Sequence, residues 1–528
     1  MAPALGLKGE CELRLGQAET AVQTLESGLV LAAEDARLWL LLGTALTDLG
    51  RLEPAREAFD RALHLDPSSG GALSSLLFTQ RQLCQWEGLD RLLERFRAGL
   101  ARGQDQLAPF AFLAEDSGRN EQRRCAELWS RQWPVTAGPQ TPLPDAGQPL
   151  TIGYLSADFH RHPTAYLAAG LFEAHDRSRF RVIGYSNGPD DGSAIRKRLE
   201  AAFDVFVDLR GMTPDEAAAR MVEDGVHVLV DLKGHTLDAA PEVLARRPAP
   251  IQAHYLGYPG TIAAPWVDYL VGDPWVTPPQ HEDDYAEAIV RLPDAYQVND
   301  RLRPRPDSTG RRSDHGLPDN GVVFCCFNNS WKLNAEVLNS WAAILDGVPG
   351  SVLWLLGRQS APSVAKALRQ RLGALGLAPE RLVFSKSRPL VDYLALYHHA
   401  DLFLDSWPYN AHTTASDALW MGCPVLSWPG ESYAGRVGAS LLSACGQEAL
   451  ICADEPEYRK RAIALGNAPD RLSVIRKRLT EQRDSLPLFD TEATTRALEW
   501  AFEEMARQAR TGAIESFDVP RPETGRDD

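Results

Sequence analysis

Short β-rich runs alternate with helical patterns over more than half of the chain, and this alternation limits the possible fold more than any other feature. Strands that alternate with helices predict parallel sheets, because each helix carries the chain back to the start of the next strand. The strands predicted in the first half of this region are residues 150–156, 180–186, 204–209, 226–232, 251–257 and 267–272. Those predicted in the second half are residues 322–327, 351–357, 381–386, 401–406 and 423–429. We therefore predict two doubly wound, Rossmann-like domains that face each other across a cleft, with ligands bound in the loops that follow the strands.

The N-terminal region has a different pattern, which repeats. Residues 37–67 read RLWLLLGTALTDLGRLEPAREAFDRALHLDP, with Trp, Gly, Ala, Phe and Pro in the order and spacing of a tetratricopeptide repeat. This repeat is a helix-turn-helix unit of about 34 residues. Residues 3–34 form a weaker copy. Stable arrays need about three or more units, so we expect the following helices to pack on the next domain. The array is predicted to bind peptide or protein partners; a rigid spacer is the alternative.

Composition indicates the domain boundaries. Residues 1–133 are predicted to hold the repeats and transition helices, and the Pro- and Gly-rich residues 134–149 a linker. Residues 150–298 and 321–510 would form the two α/β lobes. The basic, Pro-containing residues 299–320 interrupt the pattern and are predicted to link them. The polar tail, residues 511–528, is predicted to be disordered.

Charge and cysteine usage exclude several classes of protein. The formal net charge is −16, which argues against a nucleic-acid partner. No apolar run approaches the roughly 20 residues of a membrane span, and the start of the chain lacks the order of a secretory signal. The eight cysteines form no CxxC pair. They predict core thiols of a reduced, cytoplasmic protein without a metal site.

Two places in the first half carry candidate functional side chains. After the first predicted strand, SADFHRHPTAYL places Asp158 and His162 beside a helix start at Pro163-Thr164. Such groups suit acid/base or anion-binding chemistry, although His162 or Thr164 could simply cap the helix. After the fourth strand, His235 and then the turn LGYPGT resemble segments that line a ligand.

Two further places lie in the second half. Lys332 follows the first strand there and could neutralise phosphate oxygens, although a lone loop lysine is more often solvated. Asn334 is the predicted cap of the next helix. In HTTASDALWMG, His412, Thr413 and Thr414 open a helix whose positive end could bind a diphosphate.

Asp417 lies one turn into this last helix and could accept hydrogen bonds from ribose hydroxyls. Plain N-capping is the alternative reading of the turn that opens the helix, but it explains only one of the two hydroxyls. No GxxxxGK[ST] loop and no Gly-rich dinucleotide fingerprint is found in the sequence. A sugar donor activated by a nucleoside diphosphate fits best.

Four long segments resemble a known family. They are SADFHRHPTAYL, RPAPIQAHYLGYPGT, FCCFNNSWKLNAEVLNSWAAILDGVPGSVLWLL and NAHTTASDALWMGCPVLSWPGE. They are similar to the O-linked N-acetylglucosamine transferases, a family that includes the Spindly proteins, and most of all to its bacterial members. The resemblance implies a tetratricopeptide α-solenoid followed by a GT-B glycosyltransferase. It also implies transfer of N-acetylglucosamine from UDP-GlcNAc to Ser or Thr hydroxyls of proteins, with inversion and without a metal ion or other cofactor. Acceptors would bind in the repeat groove and the interlobe cleft.

The resemblance also implies roles for individual residues. Lys332 matches the lysine that contacts the diphosphate, His162 an active-site histidine, and Asp158 a candidate base. His412, Thr413 and Thr414 match the phosphate-binding turn and Asp417 the ribose ligand. Asn329 matches a uridine contact, and Arg388, Pro389, Leu390 and Tyr393 match the uracil-binding segment. Around the donor sugar, the matches are Thr164, Leu256, Gly257 and Pro259. His235, from its place after the fourth strand, is also predicted to bind the substrate.

Departures from the family pattern leave alternatives open. Leu390 stands where animal members have a lysine, Tyr393 where they have a histidine, and residues 107–116 lack a histidine often assigned as the base. A Spindly-type transfer of fucose from a GDP donor is one alternative. The others are a catalytically inactive repeat scaffold and a lipid or polysaccharide glycosyltransferase.

Overall fold

The computed structural model describes residues 1–136, 138, 141–308, 310–357 and 362–521. The chain forms two compact units, each built from separate segments. The first unit comprises Met1–Asp116, Asp307–Tyr409 and Glu455–Leu472, and the second comprises Ser117–Pro306, Asn410–Asp454 and Ser473–Asp528. The units do not follow the predicted domains, which remain predictions. The first unit includes the repeat helices and one sheet, and the second includes the other sheet.

The N-terminal region consists of helices, as predicted. They are α1 (Ala2–Arg14), α2 (Ala18–Leu31), α3 (Ala36–Asp48), α4 (Leu52–Leu65), α5 (Gly70–Gln82), α6 (Leu89–Ala101), α7 (Pro109–Phe112) and α8 (Arg119–Ser130). Small residues let α3 and α4 approach closely: a Cβ atom on Gly43 would lie 2.4 Å from the Phe59 ring. Asp35 caps α3 by accepting hydrogen bonds from the amides of Arg37 and Leu38.

The second unit holds a parallel eight-stranded sheet. Its strands are β1 (Leu150–Ser156), β2 (Phe180–Ser186), β3 (Val205–Asp208), β4 (Val228–Asp231), β5 (Ile251–His254), β6 (Tyr269–Gly272), β7 (Ala288–Arg291) and β13 (Phe517–Asp518). They are ordered β13-β7-β6-β5-β4-β1-β2-β3. Every residue of β1 is buried, as expected for a central parallel strand. The connecting helices are α9 (Pro163–Ala174), α10 (Ala194–Ala202), α11 (Pro214–Glu223) and α12 (Pro241–Leu244).

The first unit holds parallel strands in the order β10-β9-β8-β11. They are β8 (Val323–Cys326), β9 (Val352–Gly357), β10 (Leu382–Lys386) and β11 (Leu402–Leu404). The helices that follow these strands, together with one from the later segment of the unit, are α13 (Ala335–Gly347), α14 (Pro362–Ala374), α15 (Leu390–Leu396) and α18 (Glu455–Gly466). Asn334 caps α13 by accepting from the amide of Val337 at 2.8 Å, which confirms the predicted cap.

The rest of the chain is mostly helical. Its elements are α16 (Thr413–Trp420), β12 (Val425–Leu426), α17 (Val437–Ser443), α19 (Pro469–Gln482) and α20 (Thr491–Arg510). Ser427, directly after β12, bridges to Ile451. Among the described residues, no helix combines the length and the apolar character needed to cross a membrane.

The structure corrects two expectations. The tail prediction is wrong for residues 517–518, because Phe517 and Asp518 pair with Val290 and Arg291 of β7 and extend the sheet. Residues 522–528 of the tail, and residues 137, 139 and 140 of the predicted linker, lie outside the described part. The expectation of eight core thiols is wrong for Cys11, which is exposed because it lies on the outer face of α1; the other seven cysteines are buried.

Candidate functional site

The carboxyl end of β1 carries a buried ion pair. Lys233, which follows β4, donates from Nζ to both carboxylate oxygens of Asp158 at 2.8 and 2.9 Å. β1 and β4 are neighbours in the sheet, so the residues that follow them meet at one edge. Asp158 and Lys233 are 6% and 5% exposed, and the Asp158 amide also donates to the Ser156 hydroxyl. The pairing of β1 with β4 and the hydrogen bond to Ser156 therefore fix the position of the ion pair.

His162 lies beside this pair and begins helix α9. Its Nδ1 accepts a hydrogen bond from the amide of Thr164 at 3.3 Å, so the imidazole is the N-cap of the helix. The same nitrogen lies 3.3 Å from a carboxylate oxygen of Asp158. Burial lowers the pKa of His162 to about 4, although the Asp158 carboxylate opposes this effect. The imidazole is therefore neutral at pH 7, with its capping nitrogen turned toward the helix and the carboxylate.

The turn after β5 is held against the loop that contains Lys233. Leu256 adopts a left-handed backbone with φ of 72°, which is uncommon for a branched residue. A Cβ atom on Gly257 would lie 2.0 Å from the Leu232 carbonyl oxygen, so only glycine fits there. His235 donates from Nε2 to the Ile262 carbonyl at 2.7 Å, and burial lowers its pKa to about 4. Pro259 is buried.

Lys332 lies in a short turn after β8, which is the 3₁₀ helix Ser330–Lys332. Its side chain is not solvated surface, because the residue is only 9% exposed. The ammonium lies 4.2 Å from the ring centroid of Tyr409 and 5.5 Å from that of Trp331, which is cation–π distance. Burial lowers the pKa of Lys332 to about 7, while Asp405 and Cys326 act in the opposite direction. A cation in such a place gains from any anion that enters it.

Helix α16 begins with the predicted phosphate-binding turn. His412 is its N-cap residue, and no side-chain hydrogen bond caps the helix there. The His412 ring instead donates from Nε2 to the Ala434 carbonyl at 3.1 Å, and Thr413 and Thr414 are half-buried. Plain N-capping by a hydroxyl is therefore not the reason for this sequence. The turn leaves the electropositive end of an eight-residue helix without a side-chain cap.

Asp417 is 4% exposed and accepts a hydrogen bond from Nη1 of Arg303 at 2.8 Å. Arg303 lies over the ring of Trp420, 5.1 Å from its centroid. The indole of Trp420 in turn donates to the Pro304 carbonyl at 3.1 Å. One helix, α16, therefore carries both the aspartate and the aromatic surface that hold this arginine.

The predicted uracil segment lies at the carboxyl end of β10. Arg388 and Pro389 are exposed, Leu390 and Tyr393 are half-buried, and the hydroxyls of Tyr393 and Tyr397 lie 2.7 Å apart. Asn329 is also exposed, at the start of the Lys332 turn. In the described part of the chain, no group of three or more His, Cys, Asp or Glu side chains is arranged to hold a metal ion.

Most of these residues were predicted from the sequence, but three were not. Asp158, His162 and Thr164 are brought together, as predicted, but with the unpredicted Lys233. Arg303, in the stretch predicted as a linker, was missed although that stretch is rich in arginine. Tyr409 was missed as the aromatic partner of Lys332, although it lies only three residues before His412 in sequence.

Helical repeats followed by parallel α/β lobes, with candidate anion-binding groups after the strands, define the GT-B class of glycosyltransferase fold fused to tetratricopeptide helices. Residues 139–307 and 303–498 match the sequence pattern described as Glycosyl transferase family 41. Residues 36–69 match that of the tetratricopeptide repeat, which confirms the predicted repeat. The chain belongs to glycosyl transferase family 41, and the resemblance inferred from its motifs is confirmed.

Individual relatives agree with this assignment. The probable UDP-N-acetylglucosamine–peptide N-acetylglucosaminyltransferase SEC of Arabidopsis thaliana is 32% identical over 81% of this chain and 46% of its own length. The probable UDP-N-acetylglucosamine–peptide N-acetylglucosaminyltransferase SPINDLY of Solanum lycopersicum is 29% identical over 79% of this chain and 45% of its own. The chain thus spans about half the length of the curated relatives it matches.

A solved structure is similar over nearly the whole of both chains. It is a mutant of the Thermobaculum terrenum O-GlcNAc transferase, 31% identical, with a TM-score of 0.82 over 97% of this chain and 98% of that one. This agreement confirms the predicted fold class of repeats followed by two Rossmann-like lobes.

Proposed function

We propose that this chain transfers N-acetylglucosamine from UDP-GlcNAc to Ser or Thr hydroxyls of protein acceptors, with inversion, without a metal ion and in the cytoplasm. Membership of glycosyl transferase family 41 supports the class of reaction. The names of the relatives, which specify UDP-N-acetylglucosamine as donor and peptide as acceptor, support the substrates. The tetratricopeptide helices suit a protein acceptor, because stacked repeats create extended binding surfaces.

The single observation that carries the proposal is the buried ammonium of Lys332. In a direct displacement, the acceptor oxygen attacks the anomeric carbon while the UDP oxygen leaves from the opposite face. Negative charge then grows on the diphosphate, and a preorganised cation in a poorly hydrated place stabilises it. Lys332 is such a cation, held at 4.2 Å from the Tyr409 ring centroid. We assign it to the leaving diphosphate.

Helix α16 supplies a second anion-binding group. Its N-terminus, with His412, Thr413 and Thr414, offers backbone N–H groups and hydroxyls suited to phosphate oxygens. We assign these three residues to the diphosphate and Asp417 to the ribose. We assign Asn329, Arg388, Pro389, Leu390 and Tyr393 to the uridine, and Thr164, His235, Leu256, Gly257 and Pro259 to the sugar.

The surroundings of His162 and Asp158 bear on proton transfer. Proton uptake by Asp158 would disrupt two charge-assisted hydrogen bonds from Lys233, so this carboxylate is poorly suited to act as the base. His162 is neutral at pH 7 because burial lowers its pKa to about 4. We assign His162 to the reacting centre and Asp158 to its immediate surroundings, with a carboxylate oxygen 3.3 Å from Nδ1 of His162.

The experiment is a transfer assay with radiolabelled donor on the full chain. Three proteins are compared: the parent, Lys332→Met and the matched control Lys366→Met. Lys366 is exposed on α14. Each protein is incubated with UDP-GlcNAc and a mixture of Ser- and Thr-containing peptides. We expect transfer by the parent and the control and a loss of about a hundredfold or more in Lys332→Met. Near-normal turnover in Lys332→Met would refute the assignment of Lys332. Binding of GDP rather than UDP in calorimetry would favour the Spindly-type alternative, and binding of neither would favour a scaffold.

A further inference from the structure

The turn that carries Lys332 is held by the repeat helices. Ser330 donates from its hydroxyl to the carbonyl of Gln82, the last residue of α5, at 2.7 Å. Cys84 donates from its thiol to the Ser330 carbonyl at 3.7 Å. These contacts lie within the first compact unit and join residues that are almost 250 positions apart in sequence. The backbone before Lys332 is therefore fixed by a different part of the chain.

Aromatic side chains complete this connection. The Trp331 ring lies 5.7 Å from that of Phe78 in α5 and 5.4 Å from that of Phe110 in α7. On another side it meets Tyr409 edge to face at 4.8 Å, and Tyr409 is the ring over which the Lys332 ammonium lies. Trp331 is 8% exposed. A continuous chain of ring contacts thus runs from the repeat helices to the ammonium.

From these contacts we propose that Ser330, Phe78 and Phe110 are positioning residues for Lys332, so that helices α5 and α7 belong to the donor-binding machinery as well as to the repeat array. The proposal rests on the function proposed above for its link to the donor. The positioning role itself does not depend on the donor, because it consists of fixing the turn and keeping water from the ammonium. The Asp405 carboxylate and the Cys326 thiol act on the pKa of Lys332, and the titratable Tyr409 contacts its ammonium. None of these three residues lies in α5 or α7, so changes in those helices alter the burial of Lys332 and not these groups.

The first test measures the titration of Lys332 without any nucleotide. The eight lysines are ¹³C-methylated, and the signal of Lys332 is identified by its loss in Lys332→Met. We expect a midpoint near 7 in the parent chain, as burial dictates. In the double variant Phe78→Ala/Phe110→Ala, water reaches the turn and the midpoint should rise by about one pH unit or more. Phe96→Leu is the matched control, because Phe96 is a buried repeat-helix ring that stacks on Phe112. It should lower the melting temperature and leave the midpoint unchanged.

Ser330 gives a milder variant in case the double variant does not fold. Ser330→Ala removes the hydrogen bond to Gln82 and should raise the midpoint, and Ser330→Thr, which keeps the hydroxyl, should restore it. An unchanged midpoint in folded Ser330→Ala overturns the proposal.

The second test measures UDP affinity by calorimetry at pH 6. We expect a loss of about tenfold in Ser330→Ala and none in Phe96→Leu. If the parent chain binds no UDP, the proposed function fails while the midpoints still decide the positioning role. If the parent binds UDP and Ser330→Ala binds it equally well, the positioning role fails and the proposed function stands.

Discussion

Lys233 donates to both carboxylate oxygens of Asp158, at 2.8 and 2.9 Å, in a place where each residue is no more than 6% exposed. The two residues are 75 positions apart in sequence and meet only because β1 and β4 are neighbours. A buried ammonium that donates to both carboxylate oxygens fixes the orientation of the carboxylate. The carboxylate in turn lies 3.3 Å from His162.

Removing one partner of this pair should destabilise the fold more than removing both. Asp158→Asn leaves Lys233 as an uncompensated buried charge, and the loss of one partner of such a pair typically costs about 3–5 kcal/mol. Asp158→Asn/Lys233→Met should recover most of the free energy of unfolding, measured by urea denaturation, but not the transfer activity. Equal stability of the single and double variants would show that the pair contributes no coupling.

The two roles of His162 can be separated by substitution. Asparagine is a good N-cap, so His162→Asn should keep the start of α9 and nearly all of the stability. His162→Ala should lose about 1 kcal/mol more, because the amide of Thr164 loses its acceptor. Both variants should lose most of the transfer activity. If His162→Asn turned over donor at the parent rate, the imidazole would be a cap and nothing more.

The burial of Lys332 predicts that its removal stabilises the protein at neutral pH. The folded-state pKa of about 7 lies below the ordinary value, so between pH 7 and about 10 the unfolded state binds more protons. The free energy of unfolding of the parent therefore rises over this window. Lys332→Met removes the charge penalty and should be more stable by a few kcal/mol, as an order of magnitude, at pH 7. The difference should shrink toward pH 10. A constant difference across this range, measured by urea denaturation at each pH, would contradict the proposed burial of the ammonium.

The sheets were predictable from the sequence because their strands are long apolar runs. β1 and β2 begin and end at the predicted residues, and the other nine predicted strands are found but shortened at one or both ends. β7 was missed because its four residues lie among charged ones. β13 was missed because a two-residue edge strand in a polar tail has no periodicity to detect.

Candidate site residues were predictable where they directly follow a strand in sequence. They were not predictable where their role depends on packing between distant segments. Asp158, His162 and Lys332 were found from their places after strands. Lys233 follows a strand too, but nothing local distinguishes it from a solvated lysine. Arg303 is buried although its neighbours in sequence are polar, and only the fold places it against Asp417.

UDP should bind more weakly as the pH rises above about 7. Lys332 titrates near this value in the chain without nucleotide, and a bound diphosphate favours its protonated form. Binding above pH 7 therefore takes up a proton, and affinity should fall by up to tenfold for each further pH unit. Calorimetry in buffers of different ionisation enthalpy measures the proton uptake directly. In Lys332→Met, both the uptake and the decline above pH 7 should disappear; their persistence would assign them to another group.

The contact between Arg303 and Asp417 predicts how ribose recognition can be tested apart from stability. Arg303 holds one carboxylate oxygen of Asp417 at 2.8 Å. Asp417→Asn keeps the size of the side chain but weakens hydrogen bonds that it accepts. If Asp417 accepts from a ribose hydroxyl, the parent should bind UDP about tenfold more tightly than a UDP analogue that lacks this hydroxyl. Asp417→Asn should bind UDP and the analogue equally.

Arg303→Met distinguishes the role of Arg303, which holds Asp417 in place, from that of Asp417, which is assigned to contact the ribose. Without the guanidinium the carboxylate is left buried beside an apolar side chain, so the melting temperature should fall. The preference for the hydroxylated nucleotide should survive in part, because the accepting group is still present. Equal preference in the parent and in Asp417→Asn would show that this aspartate serves only to hold Arg303 over the Trp420 ring, and the ribose would then have to be recognised elsewhere.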